Sequence, residues 1–533
     1  YFSGIMLVLS ATIPQAFTEF RWLHSLNPLK FHFIIQFPSI LLGFLLIIMG
    51  RGIAARVKRA YLPTIFLIVL ALLYVLLSDF SFTPVVFLSI LLLIILASKN
   101  ELFREQLIYS WEWRTIDGII IGALSLLYIV IGVYNLPDFP HRRHHFISFF
   151  LFPSEKIWFS GLLAIIAVSF MIVLFVHFLQ GEKKQIGEAF NEEKALKILT
   201  TYGGNSDSQL IFLKDKRMFA YEKDGEPTVL LQFACFNNKC IVMGDPSGKK
   251  EDFPEAIEAF IEETDRLCYL PVFYETSEEI VMILHEFGYD FIKMGEEAYV
   301  DLNSFTTSGK KMKGTRAVLN RIEREGFTFD VLQPPFSTEQ MSTFKNISDN
   351  WLGSRKEKGF SLGFFSEDYL QRAPIAVVKN TQEEIVAFAT IMPTYTNNKV
   401  GTIDLMRYDP KKAPSGSMDF LFLHLFAYMK EEHIQWFNLG MAPLSNVGTS
   451  RKSFLQERIA YLVYEFGSHF YSFHGLREYK SKYATNWVSR YTLYSRDSWI
   501  AYVMIALLII DNAPVEQTQG RISGLKKWIR RKY

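Results

Sequence analysis

Three stretches carry residue types that could do chemistry. Thr402-Ile-Asp-Leu-Met-Arg-Tyr408 reads as a strand holding Asp404 and Arg407. Side chains alternate faces along a regular strand, so these two point apart unless a bulge, or an end of the regular part at Asp404, brings them together. A carboxylate at a strand end can hold a substrate ammonium; a structural Asp–Arg pair is the plain alternative. Phe437-Asn-Leu-Gly-Met-Ala-Pro-Leu-Ser445 follows a strand run at 434–438 and presents Asn438 and Gly440 in a loop whose backbone N–H groups can bind an anion or an oxyanion. The third stretch, Glu465 to Tyr491, interleaves aromatics such as Tyr483 with Arg477, Lys480, Lys482 and Arg490. Cations among rings can hold phosphates while the rings stack or pack. The stretch reads as a strand running into a helix, with Glu465 inside the apolar run VYEFGSHF and in need of a partner if buried.

Other features frame these. A helix at 309–325 carries Lys311, Lys313, Arg316, Arg321 and Arg324, a cation cluster that an anionic lipid surface and a nucleic-acid backbone would attract alike; a solvated helix face is the usual explanation of such a run. Ser417 or Ser415 caps the next long helix, and Asp419 complements its dipole. The chain has no HExxH, GxSxG or Walker A motif and no GxGxxG after a strand. It also lacks the Gly-rich loop with which acetyl-CoA transferases cradle a pyrophosphate. Cys235, Cys240 and Cys268 are odd in number and form no CxxC, so neither a disulfide framework nor a zinc site is expected, and a reducing compartment fits.

The positioning elements fall into two parts. At 533 residues, 50% hydrophobic and 21% charged, the chain is too apolar for a soluble protein and too polar for a pure transporter. Apolar runs at 3–20, 32–50, 61–78, 83–98, 117–134 and 157–179 predict about six helices, several near the ~20 residues that cross a bilayer core, and no charge pair is apparent among them. The opening Tyr-Phe-Ser, with neither an initiator Met nor a charged leader region, reads as the start of a fragment. Lys and Arg gather at 51–60, at 99–116 and after the last run, which places those loops inside and everything after 180 in the cytoplasm. The exception is His141-Arg-Arg-His-His145, which falls outside. Residues 210–498 alternate strands and helices in the manner of an antiparallel sheet with inserted helices. Strands are expected at 210–213, 217–222, 228–236, 239–243, 271–274 and 299–301, then at 374–379, 384–392 and 400–408. Two units of similar grammar suggest a duplication with no residue-level repeat. The expected division is 1–180 transmembrane, 181–305 and 306–498 as two α+β subdomains with the active site in the second, and 499–533 as an apolar helix and basic tail.

The wording of IDLMRY (403–408), FNLGMAPLS (437–445) and FHGLREYKSKYATNW (473–487), behind a MGDPSG turn (243–248) and a TRAVLNRIEREG helix (315–326), resembles the bacterial MprF family of phosphatidylglycerol lysyltransferases. The resemblance covers nearly the whole chain. It implies a tandem acetyltransferase-like (GNAT) fold in the cytoplasm behind a multi-helix membrane region. The implied reaction moves an aminoacyl group, lysyl by the family's name although the motifs do not spell the amino acid, from aminoacyl-tRNA to a headgroup hydroxyl of phosphatidylglycerol. The product lowers negative membrane charge and so protects against cationic antimicrobial peptides. The donor ester is already activated, so no cofactor or metal is implied. In this frame Asp404 holds a lysyl ammonium, and Arg407, Arg477, Lys480 and Lys482 meet phosphates. Glu465 is a second amine ligand or a base; Asn438, Gly440 and Tyr483 line the substrate; Lys311, Lys313, Arg316 and Arg321 face tRNA or membrane. The expected partners are lysyl-tRNA and phosphatidylglycerol, with a homo-oligomer left open. Rival readings are an alanyl-transferring relative, a Fem-like peptidoglycan aminoacyltransferase, and a lipid flippase whose soluble part regulates.

Overall fold

In hydrocarbon every backbone N–H and C=O needs an internal partner, so long apolar runs become helices. The computed structural model describes residues 36–78, 82–134, 155–310, 312–397, 399–466 and 473–512, with isolated positions at 2, 4, 5 and 8. Its contacts divide the chain into two units, 1–185 with 263–269, and 186–262 with 270–533. The first unit holds α1 (Gln36–Ala54), α2 (Tyr61–Ser78), α3 (Phe82–Ala97), α4 (Trp111–Tyr134) and α5 (Glu155–Gln180). Three windows, Lys58–Leu76, Trp111–Ile131 and Gly161–Gln180, are long and apolar enough to cross a membrane. The helix expected at 3–20, the loop at His141–His145 and the basic tail lie outside the described residues.

The expectation of no charge pair among these helices is overturned. Arg51 of α1 and Asp117 of α4 form a two-pronged ion pair at 2.7 and 3.0 Å, with side chains 5% and 2% exposed. The guanidinium also lies 3.5 Å from the Trp113 ring centroid. Charges that deep persist only when paired and hydrogen-bonded. The sequence hides the pair because its members are 66 positions apart.

The second unit is built on one mixed sheet with strands β1 (Arg217–Lys223), β2 (Glu226–Phe236), β3 (Lys239–Met243), β4 (Ser247–Gly248), β5 (Leu270–Thr276) and β6 (Tyr289–Asp301). It continues with β7 (Thr328–Leu332), β8 (Ile375–Lys379), β9 (Ile385–Met392), β10 (Val400–Tyr408), β11 (Trp436–Pro443) and β12 (Asn486–Ser495). Their order is β1-β2-β3-β5-β12-β6-β11-β10-β9-β8-β7, with β4 paired to β2.

The duplication that the residues do not show is present in this order. In the first half an antiparallel β1-β2-β3 leads through helix α6 (Phe253–Arg266) to β5, parallel to β3, then through α7 (Glu278–Glu286) to β6. In the second half β8-β9-β10 leads through α8 (Ser417–Glu431) to β11, parallel to β10, then through α9 (Leu455–Phe466) and α10 (Phe473–Ser481) to β12. The last strands are exchanged: β12 pairs with β5, and β6 pairs with β11. The halves are thereby welded into one sheet.

Several boundaries differ from the sequence expectation. Residues 208–213 form a 3-10 helix, not a strand. β6 starts at Tyr289, ten residues earlier than expected, and β7 and β12 were not foreseen. The stretch read as strand then helix is the reverse: Glu465 ends the helix α9, and β12 follows α10. Both misread strands carry charged residues where apolar alternation would have announced a strand.

Phe260 of α6 is fully buried, with the rings of Phe219, Phe233 and Phe273 at 5.3, 5.3 and 6.2 Å. Deleting such a ring removes both transfer energy and contacts. Phe260→Ala should cost about 3–5 kcal/mol, read by chemical denaturation of the detergent-solubilised chain. A loss below about 1 kcal/mol would contradict this account of the core.

Candidate active site at the strand exchange

Gly295-Glu296-Glu297 puts adjacent carboxylates into the middle of β6, and strand alternation sends them to opposite faces. On one face Glu296 accepts from Lys293 Nζ at 2.8 Å, from Asn446 Nδ2 at 2.9 Å and from Arg477. Arg477, on α10, also donates to Ser445 Oγ at 3.1 Å and lies 3.5 Å from the Trp487 ring centroid. On the other face Glu297 accepts from Asn438 Nδ2 at 2.8 Å, Arg490 Nε at 2.6 Å and the Tyr299 hydroxyl at 3.1 Å. Burial opposes the Arg490 charge, but Glu297 and Asp245 outweigh it and hold the guanidinium firmly protonated.

Arg490 has more carboxyl groups around it than its one charge can pair. Asp245 Oδ2 lies 3.6 Å from Arg490 Nη1 and keeps 23% of its side chain accessible, so it is deep yet reachable. Burial raises the Asp245 carboxyl, with Arg490 only partly offsetting it. Burial and then the Glu297 charge push Asp207 up to about 7. Glu275 is raised well above the carboxylate range by burial and by Asp207 and Glu297. Four carboxyls therefore feel one another around one guanidinium, and the field favours a further cation.

Local backbone makes this crowding feasible. Gly244 sits at φ +67, and a Cβ there would come within 2.7 Å of Asp207 Oδ2, so the GDPSG turn needs glycine for conformation and for space. Glu275 itself adopts φ +61, a strained left-handed position inside β5. Register shifts occur at Tyr491/Leu493 against β5, at Arg490/Tyr491 against β6, and at Asn438/Met441 between β11 and β6. Such bulges re-aim side chains beside functional sites.

Next to the cluster, Lys480 Nζ donates to Met441 O at 2.7 Å. Burial lowers it to about 8, with Glu297 and Glu275 holding it from falling further. Gly440 does not offer the donor expected of it: its N–H is taken by Asn438 Oδ1 at 2.7 Å. The cation facing that spot is Lys480, whose Nζ lies 3.5 Å from where a Gly440 Cβ would stand. The parallel pair β10–β11 stays in register only from Val400–Trp436 to Thr402–Asn438, whereas β3–β5 continues for five pairs and is closed by Gly244 N donating to Tyr274 O at 2.8 Å. The second half is splayed beside Asn438, and the first is zipped shut.

The remaining expected residues are placed as follows. β10 is irregular between Ile403 and Met406, but Asp404 and Arg407 take separate partners. Asp404 accepts from Gly363 N at 2.8 Å and Tyr369 OH at 3.1 Å, and burial raises it to about 6 against the Tyr369 hydrogen bond. Arg407 makes a bidentate pair with Glu357, both prongs at 2.7 Å, and also binds Ser348. Both residues grip the segment 357–363 rather than each other. Tyr483 is buried and donates to Asp419, and Lys482 Nζ lies 3.7 Å from that carboxylate, so these two brace α8 against α10. Arg316 caps Gly309 O at 2.8 Å, Arg321 binds Ser415 O, and Lys313 opens the helix Lys313–Arg324. Lys311 and the side chain of Glu465 lie outside the described residues. Among the described residues no group of three His, Cys, Asp or Glu is arranged to hold a metal ion.

Residues 196–494 match the family described as phosphatidylglycerol lysyltransferase, C-terminal. The chain belongs to this family. It is 40% identical over 466 residues to the phosphatidylglycerol lysyltransferase of Bacillus subtilis strain 168, covering 87% of this chain and 53% of that protein. To the protein of the same name from Staphylococcus aureus strain COL it is 34% identical over 459 residues, covering 85% and 53%. The chain thus spans about half the length of the curated relatives it matches. The solved structure of L-PGS from Bacillus licheniformis is 48% identical, superposes with a TM-score of 0.55, and covers 62% of this chain and 99% of its own. The fold of the second unit is the tandem acetyltransferase-like one that the family resemblance implied.

The lysyltransferase-family unit thus brings Asn438, Gly440, Arg477 and Lys480 together, whereas Asp404 and Arg407 are engaged with the 357–363 segment and Lys482 and Tyr483 with Asp419. Sequence reasoning missed Asp207, Asp245, Glu275, Glu296 and Glu297 and left Arg490 without a role. The available signal was Gly-Glu-Glu within an apolar run, two carboxylates that a strand cannot leave unpaired. Arg490→Met leaves Glu297 buried without its cation and should cost about 3–5 kcal/mol. Adding Glu297→Gln should restore part of that loss in a denaturation-based double-mutant cycle; simple additivity would refute the pairing.

Proposed function

We propose that the chain transfers a lysyl group from lysyl-tRNA to a headgroup hydroxyl of phosphatidylglycerol. The observation that carries the reading is the gathering of four carboxyls, Asp207, Asp245, Glu275 and Glu297, around Arg490, with Lys480 as a second, burial-weakened cation beside them. A lysyl donor brings ammonium charge to those carboxyls, and an alanyl donor brings less of it. The relatives named phosphatidylglycerol lysyltransferase support the lysyl group and the lipid acceptor.

The ester donor needs no activation, so catalysis is positioning, proton transfer and charge stabilisation. The carboxyl cluster holds the ammonium while the ester carbonyl lies along the splayed β10–β11 edge. Lys480, lowered to about 8, is suited to the proton work. Its neutral form takes the lipid hydroxyl proton as the oxygen bonds the carbonyl carbon. Its protonated form steadies the oxyanion, then returns the proton to the departing ribose oxygen. Arg477 faces phosphate, and Asp404 with Arg407 sets the 357–363 segment. The basic helix Lys313–Arg324 is assigned to tRNA or membrane.

The first unit supplies a place for the lipid acceptor. A groove of about 1480 Å³ is walled by Leu45, Phe66, Leu70 and Phe175 and rimmed by Lys58, Arg59, Lys99 and Lys184 together with Glu105 and Glu182. Apolar walls under a rim with more cations than carboxylates match an anionic diacyl lipid. Cationic loops at 51–60 and 99–116 support a multi-pass arrangement with the sheet in the cytoplasm, where charged tRNA resides. Subdomains at 181–305 and 306–498 fit this reading, with resistance to cationic peptides as its physiological outcome.

Vesicles of phosphatidylglycerol holding the full chain, supplied with labelled lysyl- or alanyl-tRNA, test the reading. Lysyl lipid should form; its absence, or preference for alanine, overturns it. Lys480→Met should lower kcat by about 10²–10⁴-fold with the lipid groove intact. The pH profile has a definite sign. Asp207 is raised to about 7, so it ionises as pH rises through that value, and kcat/KM for lysyl-tRNA should climb there. A raised folded-state carboxyl favours folding below its unfolded pKa and loses that contribution as pH passes its folded one. Asp207→Asn should therefore abolish the kinetic limb near 7 while raising the melting temperature above it. A profile identical to wild type would exclude Asp207 from the site.

A further inference from the structure

β2 and β3 form a hairpin in which Phe236 faces Lys239 and Cys235 faces Cys240, with Asn237 at φ +55 in the turn. Directly opposed residues of an antiparallel pair have Cα atoms about 4.5–5.5 Å apart, inside the span a disulfide bridges. The side chains have already met: Cys235 Sγ lies 3.2 Å from Cys240 Sγ. Their surroundings differ, since Cys235 is exposed and Cys240 is fully buried. An accessible thiol backed by a buried one is the arrangement of an attacking and a resolving cysteine.

We propose that Cys235 and Cys240 form a reversible thiol-oxidation site whose co-reactant is a small-molecule disulfide. The Cys235 thiolate attacks one sulfur of that disulfide, forming a mixed disulfide and releasing one thiol. Cys240, as thiolate, then attacks Cys235 Sγ; the Cys235–Cys240 bond forms and the second small thiol leaves. One external disulfide is reduced to two thiols, and the two protein thiols are oxidised with loss of two protons. The geometry needs only side-chain rotation, because the strands are already in register. The bond would pin the root of β3, the strand that runs from Cys240 through Met243 into Gly244 and Asp245 of the carboxyl cluster.

The test uses the full detergent-solubilised chain equilibrated in glutathione buffers of graded oxidised share. Thiols are trapped with a maleimide after denaturation, and the 235–240 region is read by peptide mass spectrometry. An internal link between Cys235 and Cys240 should grow with the oxidised share and vanish on adding a reductant. Cys240→Ser should stall with glutathione on Cys235, Cys235→Ser should block both products, and Cys268→Ser should behave as wild type. The proposal is overturned if wild type stalls at the Cys235 adduct with Cys240 still alkylated, or if neither thiol oxidises across the series.

Discussion

A crowd of carboxyls that cannot all ionise is the constraint on which the second unit turns. Arg490 is committed to Glu297 and lies beside Asp245, while Asp207 and Glu275 crowd the same field and are pushed toward keeping their protons. Burying like charges costs folding free energy, and the raised proton affinities are that cost expressed as chemistry. A fold selected for stability alone would replace such a cluster with apolar residues of like volume. Its presence at a sheet seam, with side chains that remain partly accessible, is the feature on which the proposed recognition of a substrate ammonium rests.

Strand exchange explains how the sheet tolerates this. Because β12 enters between β5 and β6, four strands from two halves meet where the charges lie. Each pairing from β5 to β11 is irregular there, and Gly244, Glu275 and Gly295 hold backbone conformations that regular strands avoid. The bulges turn side chains inward that strict alternation would send elsewhere. The dense aromatic packing around Phe260 and the ladder of β1–β3 supply the rigidity that lets the seam stay strained.

What the sequence shows and hides follows from the same charges. Apolar runs read correctly as helices wherever composition alone decides, as in α2 and α5. The strands β8, β9 and β10 were legible because their alternation or apolarity is unbroken. β6 and β12 were not, because Glu296, Glu297 and Arg490 interrupt the pattern that marks a strand. Asn438, Gly440, Arg477 and Lys480 could be singled out as candidates, since polar groups in apolar context stand out. Asp207 and Asp245 could not, because only the fold brings the 3-10 helix and the GDPSG turn to a seam completed some 240 residues later by β12. Asp404 and Arg407 were visible for the same reason, and only the fold shows that their separate partners lie in the 357–363 segment.

The two halves differ in how their central strands end, and the proposed reaction uses that difference. β3 and β5 remain paired to their ends, so the first half offers a closed edge and contributes carboxyls from its turns. β10 and β11 part after three residue pairs, so the second half offers an open edge and contributes Lys480 and Arg477 from α10. Recognition of a cationic group and chemistry at a carbonyl make opposite electrostatic demands: one needs surplus carboxylate, the other a cation with a lowered pKa. The exchange of last strands sets carboxyls of the first half against cations of the second: Glu297 pairs with Arg490 and Glu296 with Arg477, while Lys480, lowered by burial, stays unneutralised within the field of Glu297 and Glu275.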